Sequence, residues 1–478
     1  MKGEGKCNMG GMKLVVLYLA LVLVLAAFLP GCFVVGDQEL KWRKQAKSNS
    51  SPFPTLVGTS AVYPVLGNVY PVGYYYVDIR IGYPPKPFYL DIDTGSDLTW
   101  LHCDAPCLQC PEVPHPLYRL IENSHILCPD PICAIVRALE DHQCEKPTDH
   151  CDYEVEYADQ GSSQGLLVKD VFPLRSSNGS LVGPRLFFGC GFDQEGSSGT
   201  TSPTDGVLGL GRGKSSVVSQ LQRIGIVRNV IGHCFSSNGG GFLFFGDDLV
   251  PSSGVVWTPM SRDPKNQNHY SPGPAELFFG KQSISVKDLH VVFDSGSSYT
   301  YFNSQAYNAL ISSIMKDLTK TPLKITAADE TLSICWKGAK AFKSITEVKK
   351  YFKPVILSFV NGKKAQRMEI PPESYLIVSE HGNVCSGILN GTEIGLEDLN
   401  LIGDNFFQDQ MVIYDNEKQE IGWATANCDR LPNIDREEED LSQLDTASLD
   451  ILTEDYGPEA SSFQKEYEES HKKDELRK

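Results

Sequence analysis

Phe88-Tyr89-Leu90-Asp91-Ile92-Asp93-Thr94-Gly95-Ser96 and, 201 residues further on, Val291-Val292-Phe293-Asp294-Ser295-Gly296-Ser297 are the two stretches on which this sequence turns. Each is a short apolar run that ends on an aspartate and is broken by a Thr/Ser-Gly turn. Each has an apolar-apolar-glycine run downstream. Val207-Leu208-Gly209 begins 114 residues after Asp93, and Leu401-Ile402-Gly403 begins 107 residues after Asp294. One strand–turn–strand device occurring twice predicts two similar lobes.

Outward from these stretches, residues 68 to 428 read as all-β. Tyr74-Tyr75, Val77, Ile79 and Ile81 come close to alternating, and Glu154–Tyr157, Leu186–Phe188, Phe242–Phe245 and Met411–Tyr414 are further strand candidates. The clearest helical windows are Ser215–Ile224 and Gln305–Leu318. The expected fold is a bilobed, all-β body of two β-barrel-like lobes with a cleft between them and a few short helices. A length of 478 residues allows about three domains; the repeat reduces this to lobes at 68–255 and 256–428 plus the two ends. A content of 41% hydrophobic and 22% charged residues excludes a wholly disordered or fibrous chain. The formal charge of −17 gives no basic face for nucleic acid, and no nucleic-acid partner is expected.

An aspartate ending an apolar strand is costly to bury unless it is hydrogen-bonded or protonated. Gly95 and Gly296 let the backbone turn and donate N–H toward the carboxylate. Ser96 and Ser297 sit where a hydroxyl can bond the outer carboxylate oxygen. If the lobes meet face to face, Asp93 and Asp294 form one carboxylate pair. Two such groups in contact cannot both ionise easily and share a proton. One is then the base that activates water and the other the acid that protonates a carbonyl; no cofactor or metal is called for.

With these motifs the sequence resembles the pepsin-like aspartic proteases over roughly residues 68–428, most closely the plant nucellin-like and nepenthesin-like group. The stretches GYYYVDIRIGYPPKPFYLDIDTGSDLTW and CDYEVEYADQGSSQGLLVKD carry the closer resemblance. No insert the size of the saposin-like segment of typical phytepsins is present in the second lobe. The resemblance implies an aspartic endopeptidase that favours acidic pH and takes protein or peptide substrates in an extended form across the cleft. It implies Asp93 and Asp294 as the catalytic dyad, with Ser96 and Ser297 orienting the carboxylates. Thr94 and Ser295 would make hydroxyl–backbone contacts between the lobes. Tyr157 would be the tyrosine of a flap closing over substrate, and Trp100 its hydrogen-bonding neighbour. Ala158 stands where the flap usually carries glycine. The alternative is a non-proteolytic binding or inhibitor protein on the same fold; such relatives lose catalytic-motif residues, and both aspartates are intact here.

Seven of the 14 cysteines lie between Cys103 and Cys151. Cys107-x-x-Cys110 with Cys128, His142 and His150 admits a zinc reading, but there is no second Cys-x-x-Cys, and an apolar leader precedes, so disulfides are expected. Because seven is odd, at least one of them bonds elsewhere, with Cys190 a candidate, or stays free. The resemblance agrees with a disulfide-rich insert at 103–151 and implies a disulfide between Cys335 and Cys385.

Residues 1–36 combine Lys2, Lys6 and Lys13 with an apolar run from Leu14 to Leu29. This is a signal peptide or an uncleaved signal anchor, and only the anchor would give a membrane partner. Sequons at Asn49, Asn178 and Asn390 fit a glycoprotein of the secretory pathway. Residues 37–67 carry Lys41, Arg43, Lys44 and Lys47 and are either a prosegment or a basic linker. The last fifty residues, 429–478, hold 16 Asp+Glu against 7 Lys+Arg, a net of −9, and read as a disordered acidic tail. Lys473-Asp474-Glu475-Leu476 is followed by Arg477 and Lys478, so it is not a terminal ER-retention signal. An extracellular or vacuolar monomer is the expectation.

Overall fold

The computed structural model describes residues 60–431 apart from 106–110, 122, 138–143, 159–160, 178, 196–201, 264–267, 330–331, 362–363 and 397–398. The apolar N-terminal run, Asn49, Asn178, Cys107, Cys110, His142 and residues 432–478 of the acidic tail, with its Lys-Asp-Glu-Leu, therefore lie outside the described residues, while Asp429, at the tail's start, is bonded to Ser236 and Asn238.

Alternation builds the first hairpin. Along Tyr74–Ile81 every second residue, Tyr75, Val77, Ile79 and Ile81, is buried. Phe88, Leu90 and Ile92 of Lys86–Asp93 are buried on the same side, and the register places Val77 opposite Leu90 and Tyr76 opposite Asp91. Each such side chain contributes about 1.5–3 kcal/mol on burial. The period-2 pattern leaves Tyr74, Tyr76, Tyr89, Asp91 and Asp93 on the opposite face.

Thirteen strands among the described residues form the largest sheet. One end is the hairpin Asp152–Glu156 and Ser162–Val171; the other is Val256–Pro259 beside Glu420–Thr425. Near that second end, Gln410–Asp415 pairs with Val230–Phe235, Ile413 opposite Gly232. The end of the second half of the chain thus completes a sheet begun by the first half. A seven-stranded sheet contains Gln282–Phe293, which leads into the second Asp-Ser-Gly turn.

The helices are few. Ser304–Leu318 is capped by Asn303, whose side chain accepts from the Ala306 N–H at 3.0 Å, and buries Ala306, Tyr307, Leu310, Ile311, Ile314 and Leu318 at helical spacing. Val217–Arg223 is capped by Ser216. Both fall where periodicity puts them, within one or two residues at the ends. Among the described residues no helix is long and apolar enough to cross a membrane.

Three points differ from the sequence expectation or complete it. The lobes are not closed barrels: both large sheets run as open series of strands. The strand Ala61–Asn68 begins inside the span 37–67 set aside as prosegment or linker and sits between Gly241–Phe245 and Tyr74–Ile81. Pro64 and Gly67 break its alternation and hide it from a pattern search. One cysteine of the 103–151 cluster does bond outside it, Cys103 to Cys190, while Cys128 pairs with Cys144 and Cys133 with Cys151. Cys128 is therefore taken out of the zinc set. Cys335 and Cys385 are joined across paired strands.

Cys234–Cys428 links two points 194 residues apart, tying the residues just after the strand Glu420–Thr425 to the large sheet. Replacing both cysteines by alanine is expected to lower the unfolding free energy by about 3–5 kcal/mol. Denaturant midpoints at equal m-value measure this, and a loss below ~1 kcal/mol would show that strand pairing alone holds the junction.

Candidate active site

The repeat seen in the sequence is a repeat in space. Gly206–Gly209 runs parallel to the first aspartate strand, Gly209 opposite Asp93 and Leu208 opposite Ile92. Asn400–Ile402 runs parallel to the second, Ile402 opposite Phe293. Backbone bonds then fix each turn. The Leu210 N–H donates to the Asp93 carbonyl at 2.7 Å and the Gly211 N–H to the Ser96 carbonyl at 2.8 Å. In the second lobe the Asp294 N–H donates to the Ile402 carbonyl at 3.0 Å and the Asp404 N–H to the Ser297 carbonyl at 2.8 Å. The apolar-apolar-glycine runs are thus the supports on which the two turns rest.

The turns meet. The Thr94 N–H donates to Ser295 Oγ at 3.1 Å, and the Ser295 N–H donates to Thr94 Oγ1 at 3.0 Å. Each hydroxyl then donates onward across the junction: Thr94 to the Phe293 carbonyl at 3.2 Å, Ser295 to the Ile92 carbonyl at 2.8 Å. Both side chains are buried, so these four bonds are not exchanged for bonds to water and their loss strands buried polar atoms.

This clasp sets Asp93 and Asp294 side by side. Asp93 accepts from the Gly95 N–H at 2.7 Å, from the Ser96 N–H at 3.2 Å and from the Ser96 hydroxyl. Asp294 accepts from the Gly296 N–H at 3.0 Å and the Ser297 hydroxyl at 2.9 Å. A Cβ on Gly95 would lie 2.5 Å from Asp294 Oδ1, and one on Gly296 would lie 2.6 Å from Asp93 Oδ1. Each glycine is therefore required by the carboxylate of the other lobe. Burial, and then the opposing Asp294 charge, pushes the Asp93 carboxyl above its ordinary range; burial does the same to Asp294. Their hydrogen-bond donors pull the other way without cancelling the rise.

Over this pair stands the hairpin Asp152–Glu156 and Ser162–Val171. The Tyr157 N–H donates to the Gly161 carbonyl at 2.7 Å near its tip. Trp100 Nε1 donates to the Tyr157 hydroxyl at 2.6 Å. Trp100 is also a core residue, packed with Leu98, Cys133, Cys151 and Tyr153. Burial, and then the Asp93 charge, raises the Tyr157 phenol well above its usual range, so the ring stands near the carboxylates as a neutral hydroxyl. Asn390, the one sequon among the described residues, is half-buried; its Nδ2 donates to Glu393 at 2.8 Å and its Oδ1 accepts from Ser304 at 3.0 Å.

Two further acids were missed in the sequence. Asp91 shares the strand face of Asp93, and Asp404 follows Gly403 in the second support. Burial raises both carboxyls well above the ordinary range, reinforced in Asp91 by Asp93 and Asp294, and in Asp404 by Asp91, Asp294 and Asp93. Asp91 Oδ1 and Asp404 Oδ1 are buried without a hydrogen-bond partner. The signal was available: Asp91 lies two residues before Asp93 in a strand, hence on the same face.

The clasp and the acids can each be probed. Thr94→Val removes the hydroxyl and leaves the Ser295 N–H unpaired. It is expected to cost on the order of 2–3 kcal/mol in urea unfolding, with Thr94→Ser losing less than half as much. Equal losses in the two variants would place the effect in the methyl group. The acids make stability depend on pH. Carboxyls raised in the folded state bind more protons there than in the unfolded chain. Stability is then greatest at acid pH and falls as pH rises from the ordinary carboxylate range through the raised values. Unfolding midpoints between pH 4 and 7 should show that fall, with a shallower slope in Asp404→Asn; an unchanged slope would remove Asp404 as a source.

Comparison with known proteins agrees with the geometry. Residues 75–247 match the family described as Xylanase inhibitor N-terminal and residues 275–425 the one described as Xylanase inhibitor C-terminal. An aspartic proteinase of Oryza sativa subsp. japonica is 45% identical over 384 residues, covering 78% of this chain and 92% of its own. Aspartic proteinase 39 of Arabidopsis thaliana is 32% identical over 378 residues, 75% of each chain. Among solved structures, basic 7S globulin from soybean superposes with a TM-score of 0.61 at 16% identity, over 77% of this chain and 95% of that one. An aspartic proteinase from Irpex lacteus superposes at 0.55 and 16% identity, over 77% and 98%. The two structures speak for the fold; the sequence relatives, together with the paired carboxylates, carry the rest: the chain belongs to the pepsin-like plant aspartic proteinases and is an aspartic-type endopeptidase.

Proposed function

We propose that Asp93 and Asp294 are the catalytic dyad of this peptidase, on the single observation that a side chain on either turn glycine would lie within 2.6 Å of the opposite lobe's carboxylate. In this reading the pair holds one proton. The ionised carboxylate takes a proton from water as the water oxygen attacks the peptide carbonyl carbon, and the protonated partner gives its proton to the carbonyl oxygen. The resulting gem-diol collapses as the carboxyl that took the water proton gives it to the amide nitrogen, the other carboxylate takes a proton from a diol hydroxyl, and the C–N bond breaks to leave a carboxylic acid and an amine. No side chain is acylated, so the enzyme contributes positioning and proton transfer. Gly95, Ser96, Gly296 and Ser297 orient the carboxylates, Thr94 and Ser295 hold the lobes in register, and Tyr157 with Trp100 covers the substrate.

Substrates are proteins or peptides. The non-proteolytic alternative is not favoured, since the relatives at 45% and 32% identity are named aspartic proteinases. Five disulfides among the described residues fit an oxidising compartment. Within it, secretion or delivery to the vacuole after removal of the N-terminal apolar segment, as a glycosylated monomer, is the proposed course.

Cleavage of a denatured protein at about pH 4, where a one-proton dyad is populated, tests the assignment. Asp93→Asn and Asp294→Asn are each expected to lower kcat by on the order of a thousandfold or more, with the circular dichroism of the wild type retained. Undiminished cleavage by either variant would sink the dyad.

A further inference from the structure

Asp91 does not belong to the dyad, yet it faces the same space. On the strand Lys86–Asp93, residues 88, 90 and 92 point into the core, so Tyr89, Asp91 and Asp93 share the other face. Two residues along a strand set Asp91 roughly 6–7 Å from Asp93. Across the hairpin Asp91 stands opposite Tyr76. The Tyr76 ring lies 5.7 Å from Tyr74 and 5.0 Å from Tyr89, and all three rings are half-buried. A half-buried carboxylate with one oxygen unpartnered is therefore fringed by three tyrosine rings beside the dyad. The groups acting on it are all acidic or neutral: Asp93, Asp294 and Asp404, with Tyr74 beside it and Tyr157 above. Among the described residues no lysine or arginine acts on it, and the one histidine that meets the rim, His115, stands edge-on to Tyr89 at 4.5 Å with its Nδ1 2.7 Å from Asp205. A carboxylate left with no internal cation and an aromatic rim is what an incoming ammonium or guanidinium needs.

We infer that Asp91, with Tyr74, Tyr76 and Tyr89, forms a subsite that takes a lysine or arginine side chain of the peptide close to the bond being cleaved. Asp91 is thereby a specificity-determining residue for the reaction assigned to Asp93 and Asp294, and the inference rests on that assignment. Its burial and its acidic neighbours keep the free carboxyl protonated above the ordinary range. The subsite therefore discriminates weakly at strongly acid pH and more strongly as the proton leaves, because the substrate ammonium remains charged throughout.

Pairs of quenched fluorogenic peptides, identical except for lysine against norleucine at each position within two residues of the cleaved bond, measure this as a ratio of kcat/KM. At one of those positions the wild type is expected to favour lysine by at least about tenfold at the highest pH at which it still cleaves, the factor supplied by a hydrogen bond to a charged group. The ratio should shrink on going to pH 3.5. In Asp91→Asn it should fall to about one and lose its pH dependence. A ratio near one at every position in the wild type, a ratio that does not rise with pH, or a preference that persists in Asp91→Asn overturns the subsite while leaving the dyad intact. A wild type inert on every peptide overturns both. Should Asp91→Asn be inactive, the pH series on the wild type decides alone.

Discussion

Four hydrogen bonds between Thr94 and Ser295 and their partner strands hold the paired carboxylates in place, because they are the point where two separately built halves are brought into register. Each half supplies its own strand, turn and parallel support. The turns become a site only when the hydroxyl of one meets the backbone of the other, twice, in a dry junction. Buried bonds of this kind are poorly replaced by water, and a small displacement leaves four donors and their four acceptors unpaired. The close approach of Gly95 and Gly296 to the opposite carboxylates follows from that register and forbids any side chain there.

The site works against stability. Asp91, Asp93, Asp294 and Asp404 converge with no lysine or arginine among the groups acting on them. Such a cluster is costly when ionised and tolerable when protonated. The fold accommodates it by holding protons on buried carboxyls, which ties the integrity of the site to acid pH and ties its chemistry to the same protons. Tyr157, neutral and bonded to a tryptophan that is itself anchored in the core, adds a covering hydroxyl without adding charge.

Much of this was legible in the sequence, and the limits are instructive. The two Asp-Thr/Ser-Gly turns with their downstream apolar-glycine partners revealed the repeat, because turn chemistry and strand endings are local. The strand Ala61–Asn68 escaped because Pro64 and Gly67 interrupt its alternation, although long-range pairing with Gly241–Phe245 overrides that weakness. The return of Gln410–Asp415 to the first-half sheet is a matter of partner choice between strands of similar composition, which no local pattern encodes. Asp91 and Asp404 were visible as residues but not as members of the site. Asp91 required taking strand alternation one step beyond the motif, and Asp404 required knowing that its backbone closes onto the second turn, where the four acids act on one another.

The repeat is also imperfect, and the imperfection bears on the chemistry. Asp93 accepts three bonds from its turn and Asp294 two. More donors favour the ionised form on Asp93. Asp93 is, however, the more deeply buried of the two, while Asp294 is half-buried, and burial favours the protonated form. The two influences oppose each other on the same residue, and burial outweighs the donors, leaving the Asp93 carboxyl above its ordinary range. In the proposed mechanism the carboxyls exchange roles between addition of water and expulsion of the amine. Both carboxyls are held above the ordinary range and both keep donors that favour the ionised form, so each can carry the proton in turn in the proposed mechanism.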